Sequence, residues 1–204
     1  MAEQVGLLGG SFDPIHNGHL AIARAVAQRL ALDRVIFLPS ANPPHKAVDR
    51  LSDAEHRAAM VRLAIAGEPL FDFSDYDLTR SGPSYTIDTV AHFHRLLGSD
   101  VGLFWIIGGD TLAELAAWHR VRELVDNCRI VTASRPGWTT TDWSRLQTVL
   151  TSEQITRLRA DVLDTPLVDI SSTDIRNRVR QGQSIAHLVP EEVYRYIDAQ
   201  RLYC

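Results

Sequence analysis

Apolar and polar residues change their spacing along this chain, and each change marks an element. Residues 4–8 (QVGLL) form a short apolar run that predicts a strand. Residues 18–31 carry their apolar positions on one side of a helical period and predict a helix. Arg34–Pro39 (RVIFLP), rich in branched and aromatic side chains, predicts a second strand. After the loop SANPPHKAVDR, Ser52 and Glu55 stand at capping-box spacing and open a helix to about Ala66, with Gly67 as its stop. Residues 71–76 predict a third strand, TRSGPSYT a loop, and residues 86–97 a helix ending before Gly98. Residues 102–107 (GLFWII) are apolar without interruption, as in a strand buried on both faces. GGD and a short helix follow, then a fifth strand at 129–133, an open loop over 134–142 and two helical stretches between 142 and 163. A sixth strand is predicted at 167–170. One helix starts near Ser172, and a last one starts at Pro190, with proline in its preferred first turn.

Strands alternating with helices predict an α/β fold: a doubly wound, mainly parallel sheet with helices on both faces. Residues 171–204 add a small helical extension, and no repeat, low-complexity tract or linker divides 1–204 into more than one domain. Ligands of such sheets bind beyond the carboxyl ends of the strands. The loops GGSFDPIHNGH, NPPHK, GGD and SSTDIR should therefore share one cleft.

Bulk composition narrows the classes. The 204 residues suffice for one domain with a real core. A formal net charge of −4 argues against a nucleic-acid-binding surface. No apolar run is long enough to span a bilayer, and MAEQVGLLGG lacks the basic and apolar regions of a signal peptide. Cys128 and Cys204 make no CxxC pair, so the expected setting is a reducing cytoplasm. Nearly all basic residues are arginine, which fits codon bias; the only lysine, Lys46, lies beside His45 in NPPHK.

Three chemistries compete for GGSFDPIHNGH: a metal pair, a capped helix start, and a grip on phosphate. Its glycines allow tight turns and close approach of backbone to a ligand. A helix N-terminus presents unpaired N–H groups and the positive end of a dipole. His16 and His19, three residues apart, meet on one side of the first turn. Zinc would need a third ligand, and neither HExxH nor a cysteine cluster is present. GxGxxG and GxxxxGK[ST] are absent as well, so neither a dinucleotide fingerprint nor a P-loop accounts for the turn. Phosphate is the favoured reading. In ISSTDIRNRVR, Ser171 and Asp174 have capping-box spacing, which explains Arg178 as part of a solvated basic helix. Arg176 in the first turn opposes the helix dipole, and an anion held there with the hydroxyls would resolve that conflict. His56, His92 and His94, within helical stretches, have a structural reading, and Trp105 in its apolar strand reads as core.

GGSFDPIHNGH together with ISSTDIR resembles the motif pair of the HxGH-type nucleotidyltransferases, the motif here being His16-Asn17-Gly18-His19. NPPHK, RSGPSYTIDTV, IIGGDTL, AWHRVRELVDNC, SRPGW and the closing VPEEVYRYIDAQRLY follow in the order of the bacterial nicotinate-nucleotide adenylyltransferases, so the resemblance runs from residue 5 to the end. It implies a Rossmann-like fold and transfer of AMP from ATP to nicotinate mononucleotide, with pyrophosphate released. The alternatives are the same chemistry on nicotinamide mononucleotide and a non-catalytic nucleotide sensor. It further implies no nucleic-acid or membrane partner, a cytoplasmic setting and room for a homo-oligomer.

Site roles follow from the same resemblance. His16, His19 and Arg176 are the implied catalytic residues, with His19 on the α-phosphate under attack. Gly9, Gly10, Ser11 and Phe12 let main chain approach the nucleotides, Ser171, Ser172 and Arg176 hold the triphosphate, and Gly108 and Asp110 meet the adenosine or linking riboses. His45, Lys46, Tyr85, Thr86, Trp118, His119 and Arg135 make up the nicotinate-nucleotide side, with Trp118 stacked on the pyridine ring. Plainer roles stand beside these: Trp118 as core, Tyr85, Thr86 and Asp110 as helix starts. Mg²⁺ is implied as a partner of ATP, held mainly by its phosphates, with no protein metal site. TPLVDIS departs from relatives that carry an aromatic near Leu167, which leaves the packing on the pyridine ring open.

Overall fold

The computed structural model describes residues 2–41, 51–134, 142–166 and 169–204. Its strands are β1 (Gln4–Gly10), β2 (Arg34–Pro39), β3 (Phe71–Phe73), β4 (Gly102–Gly108), β5 (Arg129–Ser134) and β6 (Val162–Asp164). They form one sheet in the order β3-β2-β1-β4-β5-β6, with every neighbouring pair parallel. The helices are α1 (Asn17–Leu30), α2 (Ala54–Ile65), α3 (Tyr76–Thr79), α4 (Thr86–Leu97), α5 (Gly109–Glu114), α6 (Val121–Asn127), α7 (Trp143–Val149), α8 (Ser152–Ala160), α9 (Ser172–Arg180) and α10 (Glu191–Ala199).

The sheet is buried on both faces, as the apolar runs require. Along β4 the alternation is plain: Leu103, Trp105 and Ile107 join Val5, Leu7 and Leu38 in a core completed by Val90 and Phe93 of α4. Phe104 and Ile106 join Val35 and Phe37 on the other face, against Val26 of α1, Met60 of α2, Ile175 of α9 and Val193 of α10. The C-terminal helices thus pack on the α1–α2 side. Successive strands are added outward in one direction from β1 to β3 and in the other from β4 to β6, and the switch point between β1 and β4 opens the cleft.

Four expectations are corrected. The sixth strand is Val162–Asp164, ahead of the predicted 167–170. Leu163 pairs with Ala133, and the ladder stops before Pro166, which has no N–H to offer. The third strand ends at Phe73, and Tyr76 begins the short helix α3. The Ser52–Glu55 capping box does not form: Asp53 is the N-cap and makes no side-chain cap bond, while the Ser52 carbonyl accepts from Arg57 Nε at 2.9 Å. Pro190 sits at the N-cap of α10, one residue ahead of its first turn.

Candidate active site

A cleft of about 1080 Å³ lies at the carboxyl ends of β1 and β4. That is just above the range for a single small ligand, which is roughly 300–1,000 Å³. Its walls carry Gly9, Gly10, Ser11, Phe12, His16 and His19 from the β1–α1 turn, and Gly108 and Asp110 from β4–α5. Ser84, Tyr85 and Thr86 come from the start of α4, Trp118 and His119 from the segment before α6, and Ser171, Ser172 and Arg176 from α9. Most of the sequence-derived set is therefore gathered in one place. His45, Lys46, Arg135 and Leu167 lie outside the described residues.

The β1–α1 turn is tightly fixed. His16 is the N-cap of α1 and His19 is its third helical residue. Their rings stack with centroids 3.6 Å apart and planes 22° from parallel. Imidazole lone pairs lie in the ring plane, so two near-parallel rings cannot both aim at one ion about 2 Å from each, as zinc would require. The His16 N–H donates to His19 Nδ1 at 3.2 Å. A main-chain N–H can only donate, so Nδ1 is the bare nitrogen and Nε2 carries the proton. The His19 and Phe12 rings meet in a T-shaped contact, centroid to centroid 5.1 Å at 78°. Phe12 is buried and adopts φ 47, the left-handed region that a bulky residue rarely enters.

The start of α9 docks on this turn. Ser171 Oγ caps its own helix by accepting from the Asp174 N–H at 3.0 Å, half of the expected box. Ser172 Oγ donates to the Pro14 carbonyl at 2.9 Å, so its proton is already committed; what Ser172 can offer an anion is main chain. Arg176 donates through Nη1 to the Asp13 carbonyl at 2.7 Å and stands 3.8 Å from the Asp13 carboxylate. Asp13 itself is wholly buried and accepts from the Tyr203 hydroxyl at 2.8 Å.

The opposite end of the cleft is built differently. Tyr85 is the N-cap of α4 without a side-chain cap bond, and Thr86 is the first helical residue, so Thr86 does not serve as the cap. The ring of exposed His119 stacks on Tyr85 at 4.3 Å and 28°. Trp118 is half-buried against the α4 side of the core, combining the core and cleft-wall roles. Its Nε1, with the hydroxyls of Ser40 and Ser84, is buried without a hydrogen-bond partner among the described residues. Beside them Asp77 is buried and accepts from Thr89 Oγ1 at 2.8 Å; burial pushes its carboxyl up from the ordinary range. Asp110 is the second residue of α5, whose N-cap is Gly108, so it too is no cap.

Trp105 is core, as its strand implies, and its indole fills the space above Gly9: a Cβ there would lie 2.6 Å from Cζ2. The three helical histidines have partners elsewhere. His92 stacks on Tyr76, His56 Nδ1 meets the Tyr196 hydroxyl at 2.9 Å, and His94 Nε2 meets the Asn127 carbonyl at 2.7 Å. Sequence reasoning missed Asp13, Ser40, Arg57, Asp77, Ser84 and Tyr203. Asp13 and Ser84 lie inside the quoted motifs, but nothing local distinguishes Arg57 from a solvated helix arginine.

Comparison with known proteins follows the same lines. The cytidylyltransferase-like family model matches residues 7–178. A probable nicotinate-nucleotide adenylyltransferase of Dehalococcoides mccartyi is 43% identical over 98% of this chain and 97% of its own. That of Moorella thermoacetica is 42% identical over 98% and 91%. Among solved structures, Plasmodium falciparum nicotinic acid mononucleotide adenylyltransferase complexed with NaAD superposes with a TM-score of 0.76 at 15% identity, covering 98% of this chain and 97% of that one.

Proposed function

The chain belongs to the cytidylyltransferase-like family, and within it to the nicotinate-nucleotide adenylyltransferases, and from that premise we propose how its cleft divides the work. The reaction joins ATP and nicotinate mononucleotide to give nicotinate adenine dinucleotide and pyrophosphate, a step of NAD biosynthesis. A phosphate oxygen of the mononucleotide attacks the α-phosphorus, the bond to the bridging oxygen breaks, and pyrophosphate leaves with that electron pair. The acceptor brings its own nucleophile, so the protein must bring two anions together and stabilise the charge on the transferring group.

The β1–α1 turn takes the α-phosphate. The observation that carries this is the pair of stacked imidazoles at the N-cap and third residue of α1, with His19 Nε2 fixed as a donor by the His16 N–H. Arg176 and the first-turn N–H groups of α9 hold the outgoing phosphates, and Gly9 to Phe12 and Gly108 to Asp110 take the rest of ATP. The start of α4 and the His119 main chain offer N–H donors, which suit a carboxylate better than a carboxamide, and Trp118 stacks on the pyridine ring.

Mg²⁺ would enter with the triphosphate, held mainly by its phosphates with water completing the shell. When bound it neutralises charge between the two anions. No helix among the described residues is long and apolar enough to cross a membrane, and we place the reaction in the cytoplasm.

Pyrophosphate release with Mg-ATP and nicotinate mononucleotide, nicotinamide mononucleotide or phosphopantetheine tests the assignment. Release with the acid well above that with the amide is expected, and none with phosphopantetheine. Silence with the acid, or equal turnover of acid and amide, overturns it.

A further inference from the structure

We infer that Arg57 is a positioning residue for the phosphate turn: its buried guanidinium draws the Ser11 carbonyl outward and so sets the backbone and ring contacts that orient His19. This rests on the role just proposed for His19.

Arg57 lies in α2 and is 2% exposed, among the most buried large side chains of the protein. Burying a cation is costly unless its donors are satisfied. Here they meet main-chain carbonyls of three separate segments. Nη1 donates to the Ser11 carbonyl at 2.8 Å and the Ser40 carbonyl at 2.7 Å, and Nε donates to the Ser52 carbonyl at 2.9 Å. Burial lowers its pKa from the ordinary value, and the nearby Asp13 carboxylate opposes that fall. These segments are the turn after β1, the end of β2 and the entry to α2.

Geometry carries the consequence to His19. The Ser11–Phe12 peptide is trans and planar, so its C=O and N–H point in opposite directions. Arg57 is not part of the cleft wall, whereas Ser11 and Phe12 are. Drawing the Ser11 carbonyl to Arg57 turns the Phe12 N–H the other way. The next residue, Phe12, is held at φ 47, a conformation that persists only where its surroundings over-determine it. Its ring makes the T-shaped contact with His19. The line therefore runs from the Arg57 guanidinium to the Ser11 carbonyl, to the Phe12 backbone and ring, and to the imidazole whose Nδ1 is fixed by the His16 N–H.

Arg57→Met keeps the apolar stem and removes the donors. Val61→Ala, in the same helix and fully buried, is a control that lowers stability while leaving the Arg57 donors in place. Well below melting, Arg57→Met should lower kcat about ten- to a hundredfold, the scale of a small misplacement of a catalytic group. KM for nicotinate mononucleotide should stay within about twofold, and Val61→Ala should keep wild-type kcat. Without substrate, nitrogen NMR of the His19 ring should change from the Nε2–H tautomer to a mixture in Arg57→Met but not in Val61→Ala. If Arg57→Met does not fold, Arg57→Lys carries the test. One ammonium cannot span the same carbonyls, so a smaller kcat loss and partial mixing are expected. Wild-type kcat with an unchanged His19 ring in the folded variant overturns the inference, as does a kcat loss no larger than that of Val61→Ala. His19→Ala separates the two levels. If it is active, the proposed role of the turn fails; if it is inactive while Arg57 variants are not, only the role of Arg57 fails.

Discussion

The two ends of the cleft solve opposite problems. At the β1–α1 turn the polar groups are tied: Asp13 to Tyr203, Arg176 to the Asp13 carbonyl, Ser172 to Pro14, His19 to the His16 N–H. At the α4–Trp118 end, the Ser84 hydroxyl and the Trp118 indole N–H are buried without partners among the described residues. Charge that develops for an instant is best met by groups that need no rearrangement. A ligand that stays through the reaction can itself complete the bonds of the groups that hold it, and can be rejected if it does not. The tied end suits chemistry and the untied end suits choice of acceptor.

Substitutions can break this contrast. The largest effect is expected for His19→Ala, with kcat lowered about 10²–10³-fold, as for loss of a transition-state donor, and little change in melting temperature; near-wild-type turnover of the folded variant removes His19 from the chemistry. Trp118→Ala should raise KM for nicotinate mononucleotide up to about tenfold, the scale of an aromatic stacking contact, with KM for ATP unchanged. If the mononucleotide KM does not move, Trp118 is core alone.

Smaller effects sharpen the picture. Ser84→Ala deletes a buried hydroxyl with no partner among the described residues, so the free protein should gain up to about 1–3 kcal/mol, while affinity for the mononucleotide falls a few-fold. Calorimetry and titration of one sample check both signs; loss of stability would mean that the hydroxyl is satisfied in the free protein. Asp77→Asn reports on pH. The Asp77 carboxyl is raised in the folded state by burial, so the folded chain binds this proton more tightly than the unfolded one. Stability from this group is therefore highest in acid and falls as pH rises from the unfolded value through the folded one. The asparagine variant, which can still accept from Thr89, should melt above wild type at pH 8, and the gap should close on acidification. A gap independent of pH would point to packing instead.

The parts of the fold that were legible are those decided locally. Arg34–Pro39 and Thr86–Leu97 have the expected bounds because apolar spacing and flanking turn residues agree there. The sixth strand was misplaced because LVDI looks more strand-like than VLD, yet an edge strand needs only a few paired residues and Pro166 ends its ladder. Within the site, both motif loops could be seen because their residues act near one another in sequence. Asp13 was quoted but unassigned, since its partner Tyr203 is 190 residues away. Arg57 was invisible: an arginine in AEHRAAM reads as a solvated position, and only three converging carbonyls give it a reason to be buried.

Gly9 and Trp105 share one small volume, the missing Cβ of the first admitting the indole of the second. A change at either position is thus conditional on the other. Gly9→Ala in the present background must displace a ring from the cleft wall, whereas the same alanine beside a smaller strand residue is spared that clash. Across relatives the two sites should co-vary, large with absent and small with small. An adenylyltransferase evolving a larger residue at position 9 should pass first through a smaller one at 105.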